Sequence, residues 1–285
     1  MTTGVRSPAV RVVDVERVRG EAVASVTDCV AVEEPLEIRL AQGAAVRRLA
    51  VTMRTPGDDA DLAVGFLVGE GVVRQAAAVQ GTRATPLQAG ATDPNVIVVD
   101  LASSVSVDLS RVERHLYTTS SCGVCGKASL DAVRALAGPA LGPGPLLSAA
   151  AISAMPVALR AVQEAFEETG GLHAAALFTS DGALVRVRED VGRHNALDKL
   201  VGSYWREAGG VPAEHAVLVS GRASFELVQK AWLAGVSVLA AVGAPSSLAV
   251  DLAREADLTL LGFVRDGRFN VYSGAHRILD IPAAP

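Results

Sequence analysis

The chain has 285 residues, half of them hydrophobic but only 4% aromatic, and a formal net charge of −5. That length allows one large or two small domains, with cores built here from Ala, Val and Leu. The negative balance offers no overall basic field to nucleic acid, and no run of ~18 uninterrupted apolar residues supplies a membrane span. Met1 to Arg11 carries no apolar leader, and there are only three cysteines, so the expectation is a cytoplasmic protein in a reducing compartment.

The first half reads as β-rich. Met1 to Ser7 resembles a frayed terminus, Val10 to Val15 a strand, and Glu21 to Val32 a second strand that buries Cys29 as a small hydrophobe. Leu36 to Leu40 alternates strictly, Gln42-Gly43 turns, and Val46 to Met53 returns, which predicts a hairpin over 36–53. Thr55-Pro56-Gly57-Asp58 then opens a helix carrying Leu62, Phe66 and Leu67 at helical spacing through Glu70. Asn95 to Asp100 and Val105 to Leu109 are expected to pair as strands, and Arg111 to Leu116 leads into a cysteine loop.

That loop, Tyr117 to Ser129, holds Cys122-Gly-Val-Cys125 between glycines and after four hydroxyl residues. Such a stretch makes a poor core and a good exposed loop. A helix is predicted from Lys127 to Leu136, and a Pro/Gly-dense connection runs from Ala137 to Pro145. One helix over 153–169 follows, with Pro156 in its first turn and Gly170-Gly171 at its end.

Strands and helices then alternate: a hairpin of His173 to Thr179 and Ala183 to Arg188, helix 193–207, strand 216–219, helix 225–233, strand 236–241, helix 247–256, strand 258–264 and a further strand at 269–272. This pattern predicts an α/β fold with a mixed, largely parallel sheet and helices on both faces, plus a smaller N-terminal β-rich α+β domain. The boundaries read as 1–115 for the N-terminal domain, 116–148 for the cysteine loop, helix and connection, and 149–285 for the α/β domain.

Ligands of parallel α/β sheets bind beyond the carboxyl ends of the strands. Glu189 to Asn195, Ser220 to Ser224, Gly243 to Ser247 and Phe263 to Arg268 all follow strands here, and three of the four open onto helix N-termini. Free N–H groups and the helix dipole suit phosphates there, and Arg193, Arg222, Arg265 and Arg268 add charge-assisted contacts. The inferred ligand is anionic and phosphorylated. Neither a P-loop nor a Gly-x-Gly-x-x-Gly fingerprint is present.

Four readings compete for Cys122 and Cys125. A zinc site lacks a second ligand pair, since Cys29 is distant and His115, His173, His194, His215 and His276 show no metal spacing. Deaminase zinc chemistry needs His-x-Glu and Pro before the first cysteine, and both are missing. A thioredoxin-like thiol pair fits locally but leaves the rim unexplained. In the last reading Cys122, about a turn before the helix at Lys127, is a thiolate favoured by the helix dipole and the lysine, and it takes up sulfane sulfur.

Ser121-Cys-Gly-Val-Cys-Gly-Lys127, Thr169-Gly-Gly-Leu-His-Ala-Ala175, Glu189-Asp-Val-Gly-Arg-His-Asn-Ala-Leu-Asp-Lys199, Ser220-Gly-Arg222 and Gly262-Phe263 with Asn270-Val-Tyr272 resemble the formate dehydrogenase accessory sulfurtransferase (FdhD) family. Thr55-Pro-Gly-Asp58 and Gly65-Phe-Leu-Val-Gly-Glu-Gly71 resemble it too, whereas Gln42-Gly43 departs from the more usual Asn-Gly turn. The resemblance implies a sulfur carrier that accepts sulfur from a cysteine desulfurase as a persulfide on Cys122, with Cys125 as the second cysteine of the motif. The sulfur goes to the molybdenum or tungsten of a bis-molybdopterin guanine dinucleotide cofactor, serving a formate dehydrogenase catalytic subunit. By position, Phe263, Val264, Arg265, Asp266, Gly267 and Arg268 match the segment that holds the guanine dinucleotide, and a GDP-like ligand is the corresponding small probe. The resemblance also implies a cytidine-deaminase-like three-layer αβα fold without zinc chemistry, and a homodimer.

Combined with the rim, this places Arg193, His194 and Arg222 beside the cofactor. His194 is open to two roles, a proton shuttle at the sulfur handover or a contact at a helix N-terminus. Asp190, Asp198 and Lys199 read as a supporting charge network. The alternatives are a cofactor-holding chaperone that never carries sulfur, and a zinc-structured protein.

Overall fold

A computed structural model describes residues 8–86, 91–103 and 138–280. The cysteine loop with Cys122 and Cys125, the helix expected at 127–136 and the strand expected at 105–109 lie outside the described residues.

Two long strands, β1 (Val10–Arg19) and β2 (Ala22–Ala31), form an antiparallel hairpin that extends well past the expected first strand. A four-stranded sheet follows with order β4-β3-β6-β5, from β3 (Glu34–Gln42), β4 (Ala45–Arg54), β5 (Val79–Pro86) and β6 (Thr92–Leu101). The hairpin expected over 36–53 is present, with Gly43 in the left-handed region at its turn. β6 runs parallel to β3 and antiparallel to β5, a strand not anticipated from the sequence.

Helix α1 (Asp59–Gly69) has two buried sides. Leu62, Ala63, Val64 and Leu67 pack against Leu36, Ile38 and Leu40 of the four-stranded sheet. Its other side crosses a helix of the second half, where Gly65 lies against the Asp198 carbonyl and Gly202 against that of Asp61. The two glycines let the helix backbones touch.

The single helix expected over 153–169 is two helices. Ser148 caps α2 (Ala149–Arg160) by accepting from the Ala151 amide, so the helix begins earlier and Pro156 lies in its interior. Helix α3 (Glu164–Thr169) restarts after Gln163, whose buried amide donates to Glu189 across 3.4 Å.

The main sheet has six strands in the order β13-β12-β11-β10-β8-β9: β8 (His173–Phe178), β9 (Leu184–Asp190), β10 (Ala216–Val219), β11 (Val238–Ala241), β12 (Thr259–Arg265) and β13 (Arg268–Ser273). Only β10–β11 and β11–β12 pair in parallel; the other three pairings are antiparallel. The sheet is therefore mixed but not largely parallel. The reasons are β8, which inserts between β9 and β10 and runs against both, and β13, which returns antiparallel along β12. A small parallel pair of β7 (Leu147–Ser148) and β14 (Ile278–Leu279) stands apart.

Period-2 alternation divides the strand side chains between two cores. Ala174, Ala176, Phe178, Leu218 and Ala240 face Ile152, Met155 and Leu159 of α2. Ala175, Leu177, Val217, Leu239 and Ala241 face the opposite layer, made of α4 (Arg193–Ala208), α5 (Phe225–Leu233) and α6 (Ser247–Glu255). Helices thus cover both faces, as expected. No helix among the described residues is long and apolar enough to cross a membrane.

Candidate functional site

The four post-strand segments meet on one edge of the six-stranded sheet. The strand order and directions bring the carboxyl ends of β9, β10, β11 and β12 to that edge, with the amino end of β8 between β9 and β10. Backbone bonds stitch the segments together. Gly243 N donates to Gly221 O at 3.0 Å, and Phe263 N donates to Gly243 O at 3.0 Å. Ala223 N donates to Ala244 O at 3.2 Å, and Ser246 N returns to Ala223 O at 3.1 Å.

Helices α4, α5 and α6 all begin on this edge. Ser246 caps α6 by accepting from the Ala249 amide, but neither Gly192 nor Ser224 gives its helix a side-chain cap. The first amides of α4 thus keep their donors, and both helices turn the positive ends of their dipoles, which attract anions, to this edge.

Arg193 stands half-buried at the start of α4, and Arg222 is exposed beside Gly243. Arg265 and Arg268 are exposed on the β12–β13 hairpin, whose turn residues Asp266 and Gly267 are both left-handed (φ 53 and 72). Among the described residues, no carboxylate lies within ion-pair reach of Arg193, Arg222, Arg265 or Arg268. Phe263 is left-handed at φ 55, a strained conformation for an aromatic residue, and the Arg265 guanidinium lies 5.7 Å from its ring centroid. The Val264 side chain is fully buried in the core beneath the sheet. Only its backbone remains for a ligand.

His194 contacts the start of α5. Its Nε2 lies 3.3 Å from Ser224 Oγ and 3.8 Å from a Glu226 carboxylate oxygen. Burial, reinforced by the Lys230 and Arg193 cations, pushes its pKa down to about 3. The ring is neutral at pH 7 and a weak proton acceptor, which fits the contact reading better than the shuttle.

The supporting charge network is two networks. Asp190, fully buried, accepts from Lys199 at 2.8 Å, from the Thr55 amide at 3.1 Å, from the Gly192 amide at 2.8 Å and from Asn195 at 3.0 Å. Lys199 also donates to Thr55 O at 2.8 Å, and Thr55 Oγ1 accepts from the Val191 amide at 3.1 Å. Asn195 donates to Met53 O at 2.7 Å and accepts from Thr52 at 3.1 Å. This clasp fixes the turn that presents Arg193. Asp198 belongs elsewhere: Lys230 bridges it, at 2.9 Å, to Glu70 of the N-terminal half, at 3.2 Å. Burial opposes the Lys230 charge, but Asp198 and Glu70 outweigh it and hold the ammonium above the ordinary lysine range.

Three participants are absent from the residues chosen by sequence reasoning. Thr55 is part of the clasp; its helix-opening motif was visible but its partner, 135 positions away, was not. Glu226 stands beside His194 in the first turn of α5, where an acidic residue reads as a routine dipole match. His173 opens β8 at the rim and looked like an ordinary strand start.

Among the described residues, no group of three or more His, Cys, Asp or Glu side chains is arranged to hold a metal ion. Cys29 is half-buried in β2 and far from the rim in sequence.

Residues 31–279 match the model of the FdhD/NarQ family. The chain belongs to that family. It is 54% identical over 267 residues to the sulfur carrier protein FdhD of Streptomyces avermitilis, covering 92% of this chain and 93% of that one. It is 52% identical over 259 residues to the sulfur carrier protein FdhD of Mycobacterium tuberculosis, covering 88% and 92%. The crystal structure of a candidate formate dehydrogenase accessory protein from Desulfotalea psychrophila superposes with a TM-score of 0.77 at 24% identity, over 95% of this chain and all of that one. At that identity the likeness speaks for the FdhD/NarQ fold alone.

Proposed function

We propose that this FdhD/NarQ member is a sulfurtransferase of formate dehydrogenase maturation. The observation that carries the reading is the 54% identity, over nearly the whole chain, to a protein named as a sulfur carrier. The Cys122-Gly-Val-Cys125 motif and the assembled cationic rim support it.

In this reading the Cys122 thiolate attacks the terminal sulfur of a persulfide on a cysteine desulfurase. A new S–S bond forms on Cys122 as the donor cysteine leaves as a thiolate. The acceptor is the metal, molybdenum or tungsten, of a bis-molybdopterin guanine dinucleotide, bound as cargo. Transfer breaks the Cys122 S–S bond, Cys122 leaves as thiolate, and the metal supplies the electron pair that reduces the sulfane sulfur to bound sulfide. Arg193, Arg222 and the Phe263–Arg268 segment hold the phosphates and guanine end of that cargo, with the amides of α4 adding donors and the dipole of α5 adding positive potential. His194 braces Ser224 at the start of α5. Cys125 assists or is dispensable, and is not the carrier. The six-stranded sheet is of cytidine-deaminase type, and the protein works in the cytoplasm as a homodimer.

The test is mass spectrometry of the intact protein after incubation with a cysteine desulfurase and cysteine. Wild type and Cys125→Ala are expected to gain sulfane sulfur, and Cys122→Ala is not. The assignment fails if Cys122→Ala still gains sulfur while Cys125→Ala does not. A Cys122→Ala protein that still activates formate dehydrogenase identifies a cofactor-holding chaperone instead.

A further inference from the structure

Gly221 leaves an opening on the rim that two functional side chains enclose. A methyl group at its Cα would meet His173 Nδ1 at 3.4 Å, His173 Cε1 at 3.5 Å and Arg193 Cδ at 3.8 Å. Those are ordinary van der Waals distances, so the space is the size of one ligand atom and is bounded by an imidazole nitrogen and an arginine stem. The walls are fixed. Ser220 Oγ accepts from the Ala174 amide at 2.9 Å, and Ser220 N donates to Ala174 O at 2.9 Å, which locks the loop to β8 beside His173. The Asp190 clasp locks the turn before Arg193 from the other side.

The His173 ring has no hydrogen-bond partner among the described residues. The titratable and charged groups facing it are Asp190, its cross-strand partner on β9, and Arg193 and His194 from α4. Asp190 is already engaged by Lys199 and cannot serve as its counter-ion alone. Partial burial and then Arg193 hold the ring below its ordinary range, so it is neutral in the absence of ligand.

We propose that the Gly221 cradle seats one oxygen of the anionic cargo between His173 and Arg193, and that His173 takes up a proton as the anion binds. This deepens the cargo-binding reading above and rests on it. A neutral imidazole already offers one N–H. A phosphate beside the ring adds the negative charge that the site lacks and favours the imidazolium, which strengthens the bond to the phosphate oxygen. Affinity therefore rises as pH falls through the interval between the ring's lower pKa without ligand and its higher one with ligand. His173 is thus a ligand-contacting residue, in a place where Gly221 is required for access and not for backbone conformation.

The experiment is isothermal titration calorimetry of the full chain with guanosine diphosphate and, separately, inorganic pyrophosphate. It is run at several pH values and in buffers of different ionisation enthalpy, on wild type, His173→Gln and Gly221→Ala. Wild type is expected to take up a fraction of a proton on binding, beyond that seen for His173→Gln. His173→Gln and Gly221→Ala are each expected to weaken binding by about tenfold or more, as for loss of one hydrogen bond to a charged group. Gly221→Ala folds normally because its methyl meets no close contact, and far-UV circular dichroism and thermal unfolding check this. Equal proton uptake in wild type and His173→Gln, or unchanged affinity in both variants, overturns the inference and leaves the rim reading standing. No binding of either probe by wild type overturns both, while the persulfide measurement on Cys122 still decides the sulfur-carrying role independently.

Discussion

Lys199 donates from Nζ to a carboxylate oxygen of Asp190 at 2.8 Å, and both side chains are withdrawn from solvent, at 2% and 0% exposure. Each is bonded further to the backbone of Thr55, so the pair ties the turn before Arg193 to the loop before α1. A buried ion pair contributes little net stability compared with well-packed apolar groups, but losing one partner strands the other charge. Asp190→Ala leaves the Lys199 ammonium buried and four donors without their acceptor. The expected cost is about 3–5 kcal/mol, read from urea unfolding at neutral pH. Thr55→Val, which keeps the volume and the backbone bonds but removes the acceptor for the Val191 amide, costs less, about 1–3 kcal/mol, and Thr55→Ser restores most of it. Equal costs for Asp190→Ala and Thr55→Val count against a charge-centred clasp.

Gly65 and Gly202 make the second joint between the two halves. A Cβ on either would fall far inside van der Waals contact with a carbonyl oxygen on the opposite helix, Asp198 O for Gly65 and Asp61 O for Gly202. Backbone cannot step aside as a flexible side chain can, so α1 and α4 must separate. Separation also stretches the ion pairs that span the joint, Arg188 with Asp61 at 3.0 Å and Lys230 with Glu70 at 3.2 Å. Gly65→Ala and Gly202→Ala are each expected to destabilise at or beyond the upper end of the about 1–3 kcal/mol typical of overpacking. Gly210, whose Cβ would meet nothing, is the control, and Gly210→Ala is expected to stay within about 0.5 kcal/mol. Differential scanning calorimetry on the three variants decides it, and a mild Gly65→Ala excludes a backbone-to-backbone contact.

How much of this was legible in the sequence follows from the range of the interactions. The hairpin over 36–53 declared itself because one face is buried and the alternation is strict. The helices and strands after residue 173 were equally plain, and so was the identity of the rim segments, since turn glycines and arginines cluster after each strand. Edge strand β5 was missed because Val-Gln-Gly-Thr-Arg-Ala-Thr-Pro carries little apolar alternation and ends in proline, as edge strands tolerate. The insertion of β8 between β9 and β10 left no local mark, so the sheet read as more parallel than it is. Arg193 and Arg222 were read onto the rim by type and place, and both stand on the edge where the post-strand segments meet. That the Val264 side chain turns inward was not legible, since the β12–β13 register shifts between Gly262 and Arg265. Thr55 was overlooked because its partners come from a segment distant in sequence, and His173 because the Gly221 loop that borders its ring does.

His194 gives a pH signature that separates it from the rest of the site. Its pKa is lowered from 6.5 to about 3 in the folded protein, by burial first and then by Lys230 and Arg193. The unfolded chain therefore binds a proton between those values that the folded chain does not. Stability from the neutral ring is fully present above pH 6.5 and falls as pH is lowered towards 3, by about 1.4 kcal/mol per pH unit. His194→Gln keeps a polar side chain of similar reach and does not titrate. Unfolding free energies measured at several pH values between 8 and 4 are expected to fall more steeply below pH 6.5 for wild type than for His194→Gln, with the two slopes agreeing above pH 7. Lys230→Met removes the cation that acts most strongly on the ring, so the imidazole signal of His194 in NMR is expected to titrate at higher pH in that variant than in wild type. Parallel pH slopes for wild type and His194→Gln, together with a His194 resonance titrating near 6.5 in wild type, place the ring in solvent contact and restore it as a proton carrier at the handover.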